Sequence, residues 1–132
     1  MSKEIVVLTD VVLITCIVQR GVADAVVHAA REAGAQGATI FFARGVGLAE
    51  RLGLLSITID AEKEIIKMVV SSDLADHIFE KIFIAAKLDT PGMGFMYMTH
   101  LEKAATYVPP ELIERLHSGD QRYDEGDNQD EL

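Results

Sequence analysis

Ala38-Thr39-Ile40-Phe41-Phe42-Ala43-Arg44-Gly45-Val46-Gly47 is the stretch from which the rest of the chain can be read. Ala38 to Ala43 is apolar, β-branched and aromatic, the composition of a buried strand. Arg44-Gly45-Val46-Gly47 ends it, and its two glycines free the backbone to turn or to approach a ligand closely. Leu48-Ala49-Glu50-Arg51-Leu52-Gly53-Leu54-Leu55 follows, too apolar for an ordinary solvated loop and too short for a settled helix. A rigid strand feeding a sticky loop is a common way to present a binding site. No catalytic constellation competes with it, so the chain reads as a binding or regulatory module and not as an enzyme.

Towards the N-terminus, Val11 to Val18 is a dense β-branched run and reads as the first core strand. Ile5 to Leu8 reads as a frayed lead or a short extra strand. Gln19-Arg20-Gly21 breaks the run, and Val22 to Ala33 is Ala-rich and free of Gly and Pro, a helix stopped by Gly34. Its polar residues Asp24, His28, Arg31 and Glu32 fall on one stripe. Towards the C-terminus, Ser56 to Asp60 alternates like a strand end, Asp60 to Glu64 reads as a polar turn, and Ile65 to Val70 as a core strand. Ser71-Ser72-Asp73 is an N-cap cluster with an acid in the first turn. The helix it opens runs to about Lys87, with Leu74, Ala75, Ile78, Phe79, Ile82 and Ala85 as its apolar stripe. Leu88 to Gly94 is a second glycine-rich loop with a Pro91-Gly92 turn, and Phe95 to Met98 a short strand.

The order strand, helix, strand, strand, helix, strand divides into two echoing βαβ halves. With right-handed crossovers they build an antiparallel four-stranded sheet with both helices on one face. Ile40, Phe41, Phe42, Ile65, Ile66, Met68 and Val69 make the strands apolar on both sides, so the second face is expected to be covered by further subunits. Pro109-Pro110 closes this domain, residues 1–110. Residues 111–132 are an acidic tail whose composition beyond Ser118 predicts disorder.

With 132 residues the chain makes one domain with a real core. Its 21 acidic against 12 basic residues give a net charge of -9, which argues against nucleic acid or an anionic membrane as partner. About -6 of that lies from Glu111 onward, where Glu111, Glu114, Asp120, Asp124, Glu125, Asp127, Asp130 and Glu131 face only Arg115 and Arg122. The single cysteine, Cys16, lies in an apolar run and reads as a small core residue in a reducing, cytoplasmic setting. Met1 to Ile5 is not followed by an apolar region long enough for a secretory signal, and no apolar run approaches the roughly 20 residues of a membrane span. His28, His77, His100 and His117 show no metal-ligand spacing, and no Ser/His/Asp or Cys/His arrangement is visible.

The paired glycine loops are the candidate site. Gly45-Val46-Gly47 matches neither the P-loop nor the dinucleotide pattern. Paired with Gly92-Met93-Gly94, it offers exposed backbone N–H groups that can hold an anion.

Glu32-Ala33-Gly34-Ala35-Gln36-Gly37-Ala38-Thr39, Gly45-Val46-Gly47, the strand Ile65 to Val70 and the Gly92-Met93-Gly94 motif resemble the P-II signal-transduction family over about Val11 to Val108. The resemblance implies a homotrimer of ferredoxin-like α+β subunits in the cytoplasm. It also implies a flexible loop after Gly45-Val46-Gly47 (the family's T-loop), with adenine nucleotides bound between subunits. Nitrogen control is the family's pathway. By position, Thr39 would contact the base, Arg44, Gly45, Val46 and Gly47 would form the loop root, and Gly92, Met93, Gly94 and Phe95 would face the phosphates. Leu48, Glu50, Arg51, Leu52 and Leu54 would form the partner-binding loop, docking on a target protein such as a membrane transporter.

Leu48 and Phe95 stand where the family has Arg and Lys after its glycine pairs, and Thr106 and Val108 where it has paired arginines. Each lost cation removes a phosphate bond of about 1.5–3 kcal/mol. The resemblance with these departures implies a nucleotide with fewer phosphates, AMP or ADP over ATP, or another small metabolite. Arg44, Arg51 and Lys103 are the nearby cations. Two alternatives stand beside this reading. One is a CutA-like trimer, structural or metal-associated, without a signalling loop. The other is an enzyme of the dimeric ferredoxin-like barrel type, lined by Arg44, Arg51, Asp60 and His100.

Overall fold

The β-branched run after Asp10 forms β2 (Val11–Gln19), the strand to which the rest of the main sheet is laced on both sides. The structure is a computed structural model and describes residues 5–45, 61–107 and 111. The other elements are β1 (Val7–Leu8), α1 (Ala23–Glu32), β3 (Thr39–Gly45), β4 (Ala61–Ser71), α2 (Ser72–Ala85), β5 (Gly94–Leu101) and β6 (Ala104–Ala105). The chain divides into two units, Thr9–Glu102 and the pair of segments Met1–Leu8 and Lys103–Leu132.

In Thr9–Glu102 the four strands are antiparallel in the order β3-β4-β2-β5. In the second unit β1 pairs antiparallel with β6, Val7 opposite Ala105. The extra N-terminal strand is therefore formed, as the second of the two readings of Ile5 to Leu8.

Strand pleating sends alternate residues to opposite faces. Ile14, Cys16, Val18, Ile66 and Met68 share one face and form a single core with Val26 and Ala30 of α1 and Ala75, Ile78 and Ile82 of α2. This is the antiparallel sheet with both helices on one face that the sequence implied. Leu13, Ile17, Ile65, Phe41, Val69, Phe95 and Tyr97 occupy the other face by register. There Phe41, Val69 and Tyr97 stay 45%, 44% and 44% exposed, and no described element of Thr9–Glu102 packs on them.

Ser71 caps α2, its hydroxyl accepting from the Asp73 N–H at 3.2 Å. Both helices end in the same motif. After α1, Gly34 N–H donates to Arg31 O and Ala35 N–H to Ala30 O; after α2, Lys87 N–H donates to Ile84 O and Leu88 N–H to Phe83 O. Gly34 takes the left-handed position at φ +117°, and Lys87 takes it at φ 56° without being glycine.

The polar turn expected over Asp60 to Glu64 is corrected: β4 is already a strand from Ala61. Its charged residues have partners there that a turn does not need. Glu62 pairs with Arg20, and the Glu64 carboxylate accepts from Gly21 N–H at 3.0 Å and Ala23 N–H at 2.9 Å. Val22, at the N-cap of α1, has no capping side chain, so Glu64 supplies the cap from the neighbouring strand. The strand end expected over Ser56 to Asp60, the Pro109-Pro110 stop and the tail beyond Glu111 lie outside the described residues.

Candidate functional site at one end of the sheet

Strand register brings both glycine stretches to the same end of the sheet. Gly45 pairs with Ala61, Ala43 with Lys63, Lys63 with Gln19, and Val18 with Gly94. Crossing that end from edge to edge, one meets the root of the first loop, Lys63, Gln19 and the second glycine loop.

The second loop is fixed by local chemistry. Met93 N–H donates to Thr90 O at 3.2 Å, closing a Thr90-Pro91-Gly92-Met93 turn with Pro at its second position and Gly92 at φ 84° at its third. Gln19 Nε2 donates to Gly92 O and ties the turn to the end of β2. Gly94 then enters the ladder at φ +135°, where an added Cβ would lie 2.1 Å from the Ile17 carbonyl oxygen. Only glycine permits that approach.

At the other edge, Gly45 is the seat of a lysine. A Cβ on Gly45 would meet Lys63 Cε at 3.0 Å and Cγ at 3.2 Å, so the lysine stem lies along the glycine. Lys63 is 3% exposed, and its Nζ has no hydrogen-bond partner among the described residues. Burial lowers its pKa from the ordinary lysine value. A buried ammonium without a counter-charge is costly, and no carboxylate among the described residues is paired with this one.

Of the predicted effector residues, Arg44, Gly45, Gly92, Met93, Gly94 and Phe95 sit at or beside this end. Thr39 does not: it starts β3 opposite Lys67, six residues or about 20 Å along the strand from Gly45. Gly45 and Gly94 lie on opposite edges of the sheet, three strand spacings or about 14 Å apart. Val46, Gly47 and the partner-loop residues Leu48, Glu50, Arg51, Leu52 and Leu54 lie outside the described residues.

The sequence reading missed Lys63 and Gln19. The signal for both was period-two alternation continued back from Ile66 through Glu64 and Glu62, which places Lys63 on the opposite face beside Gln19. The histidines stay apart from this end. His28 pairs with Glu32 on α1 at 3.2 Å, His77 and His100 are exposed, and His117 lies outside the described residues. Among the described residues no three His, Cys, Asp or Glu side chains gather into a metal site. No helix among them is long and apolar enough to cross a membrane.

Residues 11–109 match the family model described as nitrogen regulatory protein P-II. Among solved structures, an Arabidopsis thaliana PII crystallised bound to citrate shares the fold at a TM-score of 0.57 and 19% identity, over 71% of this chain and 79% of that one. No curated protein sequence matches the chain.

Proposed function

The chain belongs to the nitrogen regulatory protein P-II family, and on that premise we propose that it is a homotrimeric sensor and regulator, not an enzyme. It binds a small anionic effector where the two glycine loops of neighbouring subunits meet. The segment from Val46 to Leu55 passes the bound state to a target protein. The observation that carries this reading is Lys63, a buried ammonium with no described partner between the roots of the two loops.

The two loops lie at opposite edges of one sheet, so a second copy is what joins them. The open apolar face, with the exposed Phe41, Val69 and Tyr97, supplies the surface for that copy. An adenine nucleotide with few phosphates, AMP or ADP, fits the family and the loss of its basic residues at Leu48, Phe95, Thr106 and Val108. A small carboxylate is the second class; the Arabidopsis structure holds citrate. A membrane transporter is one target the family suggests, and cytoplasmic nitrogen control one setting. We assign residues 1–110 to the sensing domain and 111–132 to an acidic tail.

The test is a thermal-shift panel of AMP, ADP, ATP, cyclic AMP, 2-oxoglutarate, citrate and bicarbonate, with and without Mg²⁺. A ligand at 100 times its dissociation constant stabilises the native state by about 2.7 kcal/mol. One anionic member should shift the wild type and fail to shift Lys63→Met. A flat panel, or a shift that Lys63→Met retains in full, refutes the reading. Removing 48–53 should leave effector binding intact and abolish capture of the target.

A further inference from the structure

The uncovered face carries one polar row. Register sets Thr39, Lys67, Thr15 and Tyr97 side by side across β3, β4, β2 and β5. The next row towards the glycine loops is wholly apolar: Phe41, Ile65, Ile17 and Phe95. On the other side lie Val69 and Leu13 with Thr99.

Within the polar row, Thr15 is 1% exposed and its Oγ1 has no hydrogen-bond partner among the described residues. Directly opposite it is Lys67, whose Nζ stands 6.0 Å from the centroid of the Phe41 ring. The four strands contain only two acids, Glu62 and Glu64. Pleating sends both to the helix face, where they pair with Arg20 and cap α1. The face that bears Lys67 therefore has no carboxylate of its own among the described residues of the sheet.

We propose that Lys67 and Thr15, flanked by Tyr97, bind a small oxyanion that is enclosed when copies of the chain cover this face. The inference rests on the assembly proposed above and adds a site distinct from the glycine-loop end. Covering an unpaired ammonium with apolar surface is costly, and an enclosed oxyanion offsets it. The anion also gives Thr15 Oγ1 the acceptor it lacks. Anion binding and self-association are then linked: each promotes the other.

Inorganic sulfate is the probe, used at constant ionic strength against chloride. Equilibrium dialysis with labelled sulfate reports binding, and light scattering reports the assembled mass. The wild type should bind sulfate saturably and move towards the assembled mass with it. Lys67→Met should lose the binding and assemble equally in both salts. Thr15→Val should weaken sulfate about tenfold, yet raise the melting temperature of the sulfate-free protein, because its orphan hydroxyl is gone.

Lys63→Met should keep sulfate binding. Loss of binding in Lys63→Met with retention in Lys67→Met places the anion at the glycine-loop end and overturns the proposal. So does a wild type that assembles fully in chloride without binding sulfate, and in that case the assembly stands. A wild type that stays monomeric in both salts overturns the assembly and this site with it.

Discussion

Replacing Gly94 with alanine should break the attachment of the second glycine loop, and two other glycines calibrate the size of the effect. Gly94 takes φ +135°, and its new Cβ would lie 2.1 Å from Ile17 O, 3.0 Å from Val18 Cα and 3.1 Å from Ile17 C. All three atoms are backbone of β2, which is paired on both sides and cannot retreat. Gly21 shares the left-handed backbone at φ +96° but has nothing within 4 Å of its Cβ position. Gly37 has neither constraint, with an ordinary φ and open space.

Gly37→Ala should therefore stabilise by about 0.4–1 kcal/mol, through the unfolded chain alone. Gly21→Ala should cost about 1–2 kcal/mol for its φ. Gly94→Ala carries the same backbone cost, and β5 must also move away from β2. That strains the Val18–Gly94 ladder and the Gln19–Gly92 hydrogen bond, each worth about 0.5–1.5 kcal/mol. The total is about 4 kcal/mol, large against the 5–15 kcal/mol typical of whole proteins. Urea unfolding followed by circular dichroism, at one protein concentration, gives the three values. If Gly94→Ala falls within about 1 kcal/mol of Gly21→Ala, the close approach of β5 to the Ile17 carbonyl is not real.

Further outcomes follow from three buried titratable groups, Glu64, Cys16 and Lys63. Glu64→Leu leaves the N–H groups of Gly21 and Ala23 without their acceptor at the start of α1 and should cost about 2–4 kcal/mol. Glu64→Gln keeps an acceptor and should cost about 1 kcal/mol. Unfolding curves give both values, and faster amide exchange at Gly21 and Ala23 places the damage. Burial pushes the Cys16 thiol from 9.0 up to about 12, so the unfolded chain loses that proton first and stability falls as pH rises above about 9. By pH ~10.5 the loss approaches ~2 kcal/mol, and Cys16→Ala should abolish that slope. Lys63 acts with the opposite sign: its folded pKa is lowered, so its burial cost is full at neutral pH and is relieved as pH climbs towards 10.5. Lys63→Met should remove that rise, and unfolding at pH 7, 9 and 10.5 separates the two slopes.

The fold was legible wherever local chemistry and tertiary need agreed. The Val11 run could only be a core strand, the alanine-rich segment ended at its glycine, and Ser71 capped the helix it preceded. The candidate site was legible at its glycines, because Gly92 and Gly94 are backbone requirements that leave a mark in the residue type itself. Lys63 left no such mark. Its role comes from burial beside Gly45, and burial comes from a register that only the folded sheet fixes. The same holds for Glu64, which caps a helix that precedes it by some forty residues, at a |i−j| of 41 from Ala23. A local reading sees a charged cluster there and infers a turn, since the partners that make a strand affordable are distant in sequence.

That misread cluster shows how one strand sorts charge. In β4 the residues Glu62, Lys63, Glu64 and Lys67 alternate acid and base, and the pleat alternates faces with the same period. Both acids therefore reach the helix side, where the Arg20 guanidinium and the open N-terminus of α1 receive them. Both lysines reach the other side, one beside Gly45 and one beside Thr15, with no acid of the sheet to answer them among the described residues. A register slip of one residue would exchange the sets, burying two carboxylates against apolar neighbours and leaving α1 uncapped. The cap on α1 therefore fixes the register that leaves Lys63 and Lys67 without an acid of the sheet among the described residues. The anion site proposed for the open face therefore traces back to how the first helix is begun.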